Sequence, residues 1–461
     1  MTETHRFHPV VLREYDIRGV VGRDLGPADG YGIGRAFGSA LVETGGRVVC
    51  VGQDGRLSTA ALEAAVVAGL VACGLEVRRI GLGPTPMLNY AVRRHQAAGG
   101  VMVTGSHNPA DHNGFKLIDG DAYLTGDAIR GLAARAADGR LVRGEGRVVL
   151  YPMAVDYIEC LAGAWDGGRA PSVAWDPGNG AVAAVLPLLL QRLPGRHVVI
   201  NGTVDGTFPG HPPDPAEPRN LRQLQDLVLT EGTELGVAFD GDGDRIGVVD
   251  DQGRVVCADQ LLAILAESLL KARPGAAVVA DVKASQVLFD EVRRLGGRAI
   301  MGRSGRSPIQ RKMAESQALL GGEMSGHIFW ADGYYGFDDG LYAALRLIRV
   351  VSRLAGETLA GRVDRLPHRL NTPEMRLPCA DERKFVVVDE VRARLTADGA
   401  AFDGTDGVRV GTPDGWWLLR ASHTEAALSA RCEALSPDGL KELRHQLGTH
   451  LRLSGVAVPW G

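Results

Sequence analysis

Residues 48–103, VVCVGQDGRLSTAALEAAVVAGLVACGLEVRRIGLGPTPMLNYAVRRHQAAGGVMV, alternate short β-branched runs with helical stretches. VVCVG (48–52), VRRIG (77–81) and GVMVT (100–104) read as strands, with a helix over 58–73 and a second, short one before residue 99. That is βαβ grammar and predicts a mostly parallel sheet. The grammar restarts near residue 172 with SVAWD, a long apolar helix through LPLLLQRL (186–193), HVVI, and GVAF (236–239). It restarts again near 276, where AAVVAD leads to a helix around QVLFDEVRRL, then RAIMG, a helix near PIQRKMAES, and ALLGGE (318–323). After Pro367 the pattern changes to strands around MRLP, KFVVVD (384–389), GVRV and WWLLR, with one closing helix over 438–452, which suggests a smaller α+β module. The predicted joints fall near 150, 255 and 367. HPPDPAEPRN (211–220) lies between two strands of the second unit and reads as an internal loop.

With 461 residues the chain exceeds what one core supports, and a prior of ~150 residues per domain gives about three domains. An apolar fraction of 45% and a charged fraction of 23% are ordinary for a globular enzyme. The net charge of −4 supplies no broad positive field, so nucleic acid and anionic membranes are not expected partners and any anion site must be local. The opening MTETHRFHPV has no signal-peptide pattern and no stretch reaches ~18 unbroken apolar residues, so the expectation is a cytoplasmic protein. The six cysteines lack any CxxC or zinc-type spacing and read as reduced structural thiols.

In open parallel sheets, ligand loops leave the carboxyl ends of strands, and the polar motifs fall there, which suggests a cleft shared by the α/β units. TGSHNP (104–109) follows GVMV and puts the hydroxyl of Ser106 between Gly105 and His107; it is either a nucleophile or phosphate carrier or a helix-capping turn. Lys116, downstream in NGFKLID, can hold phosphate or exchange a proton. DGDGDR (240–245) places Asp240, Asp242 and Asp244 at alternate positions in a tight loop. Three convergent carboxylates need a cation, and hard oxygen ligands favour Mg²⁺ or Ca²⁺ over zinc; the alternative is a solvated Gly/Asp turn with no metal. An EF-hand is excluded because its sixth position requires Gly where Arg245 stands, and its twelfth is Asp251 rather than Glu. GEMSGH (322–327) offers Glu323, Ser325 and His327 to a polyhydroxylated ligand, or is simply a polar loop. RASHTE (420–425) with Arg431 gathers Arg420, Ser422, His423 and Thr424, donors suited to phosphate oxygens or to surface salt bridges.

Taken in order, REYDIRG, GPTP, TGSHNP, DGDGDR, GEMSGH and RASHTE resemble the phosphohexomutase superfamily, most closely its bacterial phosphomannomutase/phosphoglucomutase branch, over about residues 12–434. The resemblance implies three related mixed or parallel-sheet α/β domains and a C-terminal α+β domain around a central cleft. The domains would be 1–150 with the phosphoserine loop, 151–255 with the metal loop, 256–367 with the sugar loop and 368–461 with the phosphate loop. It implies an isomerase that interconverts hexose 1-phosphate and hexose 6-phosphate through phosphorylated Ser106 and a 1,6-bisphosphate. Mg²⁺ would be held by the three aspartates and a phosphate oxygen on Ser106, with glucose 1,6-bisphosphate as activator. By the same resemblance Tyr15, Arg18 and His107 line the cleft, Arg245 stands beside the metal loop, Lys283 faces substrate, Glu323 and Ser325 bind sugar hydroxyls, and Lys116 and His327 move protons. Arg420, Ser422, His423 and Thr424 would hold the phosphate that is not reacting. The expected partners are hexose phosphates, and the expected state is a monomer or weak homodimer.

Two positions depart from the family pattern. Arg306 in SGRSP stands where relatives carry a histidine; it cannot act as a base and is expected to contact substrate instead. His423 stands where the family has Asn, so substrate binding is expected to tighten as His423 protonates. Phosphoglucosamine mutase is the alternative within the family; Met324 of GEMSGH favours the mannose/glucose branch. A metal-dependent sugar phosphatase and a non-catalytic sugar-phosphate sensor are the alternatives outside it, and the intact serine and aspartates argue against the sensor.

Overall fold

In the computed structural model, which describes residues 4–423 and 425–460, the run 48–103 forms the centre of the first sheet. Its strands are β1 (Ile17–Val20), β2 (Val48–Gln53), β3 (Glu76–Leu82), β4 (Gly99–Val103), β5 (His112–Asp119), β6 (Ala122–Tyr123) and β7 (Arg147–Leu150). They lie in the order β1-β5-β4-β2-β3-β7, with β6 on β5. β2 is parallel to β3 and β4, whereas β5 is antiparallel to β4 and β1, so the sheet is mixed. The helices Pro27–Glu43 and Thr59–Val71 bury Ile33, Phe37, Leu62, Val66 and Leu70 in one core with Val51, Val101 and Phe115. A strand covered on both faces needs no polar alternation, which is why β4 reads as an unbroken apolar run.

The second sheet contains β8 (Val173–Asp176), β9 (His197–Val199), β10 (Leu235–Phe239), β11 (Ile246–Asp250) and β12 (Val255–Val256), in the order β12-β11-β10-β8-β9. β10 is parallel to β8 and antiparallel to β11, so the six residues joining β10 to β11 form a tight reversal. The expected long helix through LPLLLQRL is absent: a 3₁₀ turn over Ala181–Ala184 precedes a short α-helix, Leu186–Leu190. Pro187 fits the first turn of that helix but cannot sit within a longer one.

β13 (Ala277–Asp281), β14 (Arg298–Gly302) and β15 (Leu320–Gly322) form the parallel set that the third restart predicts, and β13 is its central strand. β16 (Ile328–Trp330) follows, and then the helix Gly340–Ser352. The last sheet is antiparallel: β17 (Leu370–Asn371), β18 (Met375–Pro378), β19 (Val408–Thr412), β20 (Gly415–Ala421) and β21 (Ala427–Ala434). KFVVVD is not a strand but part of the helix Asp381–Ala397. Its Lys384, Val387, Val388, Val391 and Leu395 are buried at helical spacing, a stripe that extends beyond the β-branched triplet that suggested a strand.

The chain divides into two compact units, Met1–Leu261 with Ser325–Gly361, and Leu262–Met324 with Arg362–Gly461. The division runs through GEMSGH, leaving Glu323 in the second unit and Ser325 and His327 in the first. Among the described residues no helix is long and apolar enough to cross a membrane.

Candidate active site

Ser106 follows β4, and its φ of 49° lies in the left-handed region, turning its side chain inward from the strand end. A buried clamp holds this conformation. Arg56 donates to the carbonyls of Ser106 (2.7 Å), Asn108 (2.6 Å), Pro109 (2.5 Å) and His112 (2.9 Å), while Asp54 accepts from Thr104 Oγ1 at 2.7 Å and Gly105 N–H at 3.2 Å. Thr104 Oγ1 in turn accepts from the Ser106 N–H at 2.8 Å. A Cβ at position 105 would lie 2.5 Å from the Arg56 guanidinium, so only glycine allows the clamp to close. Sequence reasoning missed Asp54 and Arg56. Their signal was position, since QDGR leaves the carboxyl end of β2 beside the Ser106 loop.

Ser106 Oγ donates to Asp240 Oδ2 at 2.8 Å and lies 3.3 Å from His107 Nδ1. Burial, then Arg245, Arg18 and Lys116, hold the His107 imidazole well below its usual pKa, so it is neutral near pH 7. Arg18, on β1, donates to Asn108 Oδ1 at 2.8 Å and pairs with Asp16, so it reaches the same loop. Tyr15 is half-buried on the segment entering β1.

Asp240, Asp242 and Asp244 are fully buried and offer oxygens that lie within 4.8 Å of one another. Lys116 on β5 donates to Asp242 Oδ2 at 2.6 Å and to Asp244. Thr85 Oγ1, from GPTP, also donates to Asp242, a contact the sequence did not disclose. Burial and then the repulsion of Asp244 and Asp242 drive Asp240 well above the usual carboxylate range. Burial and Asp244 also push Asp242 upward, but the Lys116 ammonium and the Thr85 hydrogen bond outweigh them and leave it lowered. Lys116 thus pairs with two of three buried acids, Arg245 acts on the third, Asp240, which stays raised, and Asp242 Oδ1 has no hydrogen-bond partner among the described residues. The residues present fit a hard divalent cation, which would satisfy both the excess charge and the orphaned oxygen.

His327 is placed by backbone pairing: Ile246 N–H donates to the Gly326 carbonyl at 3.0 Å, and Arg245 and His327 form an antiparallel bridge. Gly326 has φ +93°, and a Cβ there would lie 2.5 Å from the Ile246 carbonyl oxygen. His327 Nε2 is 3.3 Å from Asp244 Oδ1, 3.4 Å from Arg245 Nε and 3.7 Å from Asp338 Oδ2, while Nδ1 is 2.9 Å from Ser325 Oγ. The first unit thus gathers Ser106, His107, Lys116, the three aspartates, Arg245, Ser325 and His327, with Arg18 one residue away through Asn108.

In the second unit, Asp406 links the other motif residues: Arg420 Nε donates to it at 2.8 Å, Ser304 N–H at 3.0 Å, and His423 Nε2 is 3.8 Å away. Burial raises Asp406, but nearby His423, Arg420 and the Ser304 N–H outweigh it and hold the carboxyl at about 2. Glu323 accepts from the Gly305 N–H at 2.5 Å, at the start of the helix Arg306–Ser316 whose first residue, Arg306, is buried. Lys283 Nζ lies 3.3 Å from Glu374 Oε2, and Arg431 donates to the Lys283 carbonyl. Burial raises Glu374, yet Lys283 and the Ser429 hydrogen bond leave it at about 2. Ser422 Oγ accepts from the Glu425 N–H at 3.1 Å, and Thr424 lies outside the described residues.

Four family models match the chain: phosphoglucomutase/phosphomannomutase alpha/beta/alpha domain I over 10–140, domain II over 156–253, domain III over 258–370, and the C-terminal domain over 374–449. The phosphomannomutase/phosphoglucomutase of Pseudomonas putida is 40% identical over 441 residues, covering 96% of this chain and 95% of that protein. The phosphoglucomutase of Neisseria meningitidis serogroup A is 38% identical over 440 residues, 95% of each. A crystal structure of a phosphoglucomutase/phosphomannomutase family protein from Burkholderia thailandensis superposes with a TM-score of 0.93 at 37% identity, covering 98% of this chain and all of that one.

Proposed function

The chain belongs to the phosphoglucomutase/phosphomannomutase family, and we propose that it works through a phosphoryl group carried on Ser106 Oγ. It is an isomerase of the phosphohexomutase superfamily that interconverts hexose 1-phosphates and hexose 6-phosphates by way of a 1,6-bisphosphate. The contact of Ser106 Oγ with Asp240 Oδ2 at 2.8 Å carries the assignment, because it joins the hydroxyl to the acid cluster.

In the first half-reaction the bond from phosphorus to Ser106 Oγ breaks as a bond to the free sugar hydroxyl forms. Lys116, held as an ammonium by Asp242 and Asp244, can supply the proton that Ser106 Oγ takes on release. His327 Nε2 receives the proton lost by the sugar hydroxyl. Mg²⁺ bound by Asp240, Asp242 and Asp244 would neutralise charge on the transferring phosphoryl oxygens. The bisphosphate then turns, and its other phosphate returns to Ser106. Free glucose 1,6-bisphosphate would serve as activator by rephosphorylating a bare serine.

We assign sugar hydroxyls to Glu323 and Ser325, and the phosphate that is not transferred to Arg420, Ser422 and His423. Lys283, Arg306 and Arg431 complete the substrate contacts, and the four modules are taken as 1–150, 151–255, 256–367 and 368–461. Mannose and glucose phosphates are the proposed substrates. The test is a coupled assay on glucose 1-phosphate and mannose 1-phosphate with Mg²⁺ and catalytic glucose 1,6-bisphosphate, comparing wild type with Ser106→Ala. Turnover of both sugars, its loss in the variant and little free phosphate are expected. Phosphate released in step with turnover would make the protein a phosphatase, and activity on glucosamine 6-phosphate alone would move the substrate.

A further inference from the structure

The first unit holds a cavity of about 590 Å³ lined by none of the residues assigned above. It lies among the helix Ala154–Ala162, the segment that follows it, the loop after β16 and the helix Gly340–Ser352. Tyr342, Arg346 and Arg349 line it from one helix at i, i+4 and i+7, which is one helical face. Tyr334 and Tyr335 line it from the loop. The Tyr334 and Tyr342 rings stack with centroids 3.8 Å apart, and Tyr335 meets Tyr334 edge-on at 5.2 Å. The Tyr334 hydroxyl donates to buried Asp339 at 2.7 Å, so its ring is fixed.

The two cations differ. Arg349 is tied to Asp166, which also pairs with Arg353 at 2.8 Å. Arg346 is half-buried, and its guanidinium carbon lies over the Trp330 ring, 4.0 Å from the centre. The Tyr342 hydroxyl and Asp332, which also lines the cavity, act on it electrostatically, but among the described residues it forms no ion pair. Burial lowers its pKa, in keeping with a guanidinium whose desolvation is not matched by a partner. With Trp330 covering a face, what remains for a ligand is its N–H edge, and that edge suits an oxyanion. Tyr335, stacked on Phe337 at 5.8 Å and 39% exposed, presents the accessible aromatic surface beside it, at little entropic cost.

We propose that this cavity binds a small molecule composed of a planar ring and an oxyanion, a nucleoside monophosphate being the class that carries both. The oxyanion pairs with the edge of Arg346, and the ring packs on Tyr335 and its tyrosine neighbours. The site is separate from the acid cluster, so it can be filled while hexose phosphate is bound.

Calorimetric titration of the full chain, with Mg²⁺ and saturating glucose 1-phosphate present, would use AMP, GMP and UMP, with the matching nucleosides and inorganic phosphate as controls. The expected result is one site for at least one nucleotide, weakened about tenfold or more in Arg346→Gln through loss of a charge-assisted pair. Tyr335→Ala, at a 39% exposed position, is expected to weaken binding several-fold and serves where Arg346→Gln fails to fold. Hexose phosphate turnover should stay near wild type in both. The proposal is overturned if no nucleotide binds at millimolar concentration, if hexose phosphate competes it away, or if neither variant weakens it. Inorganic phosphate binding as tightly as the nucleotides would overturn the ring recognition.

Discussion

The acid cluster of the first unit and the basic loops of the second use the same kinds of residue in different proportion, crowded acids in one and one-to-one pairs in the other. Around Ser106 three buried acids crowd together, Lys116 pairing with two of them and the Arg245 charge acting on Asp240, and burial with mutual repulsion still drives Asp240 upward. In the second unit Arg420 already has Asp406, and Lys283 already has Glu374, so each cation is oriented before any anion arrives. The lesson is that the first arrangement requires a cation to be complete, whereas the second is complete and is tuned by its acids. Coulomb repulsion among buried like charges is strong, and a divalent ion relieves it.

The sharpest way to break this contrast is Ser106→Ala, which should lower kcat by ~10³-fold or more while Mg²⁺ still binds, since the acids remain. A variant that loses metal binding as well would show the hydroxyl to be part of the charge balance. Chelation comes next: EDTA should abolish turnover and added Mg²⁺ restore it, whereas phosphate binding measured on Arg420→Ala should depend on the arginine with the metal present or absent.

Arg56→Ala tests whether the clamp is structural or catalytic in its effect. Removing one partner of a buried pair leaves Asp54 uncompensated, at a cost of about 3 kcal/mol in chemical unfolding. Residual folded enzyme should show reduced kcat with KM nearly unchanged, because Ser106 loses its orientation. The smallest effect is expected at Asp406→Asn, which should raise KM about tenfold with kcat little moved, as Arg420 loses its orienting acid. Asp406 at about 2 lies below the ordinary carboxylate value of ~4, so its stabilisation is full above ~4 and is lost as pH falls toward 2. Unfolding profiles between pH ~4 and 2 should therefore be flatter in Asp406→Asn than in wild type.

The parallel strands were legible because burial on both faces writes apolar runs directly into the chain, and DGDGDR was legible because its acids have no core role. The KFVVVD helix was not, because three β-branched residues outweighed a stripe completed only at Val391 and Leu395. Asp54, Arg56, Thr85 and Asp406 were missed for a different reason. Each acts on a backbone or side chain distant in sequence, and nothing in QDGR or GPTP alone distinguishes a clamp from a turn. Arg420 and Lys283 were visible as cations, but their pairing with acids 14 and 91 residues away was not.

The left-handed backbone of Ser106 decides something the chemistry leaves open. Threonine offers the same hydroxyl, but a branched Cβ is poorly tolerated at positive φ. The choice of phosphate-carrying alcohol at this position is thus made by torsion as well as by nucleophilicity, and a threonine that kept the hydroxyl would strain the loop that presents it.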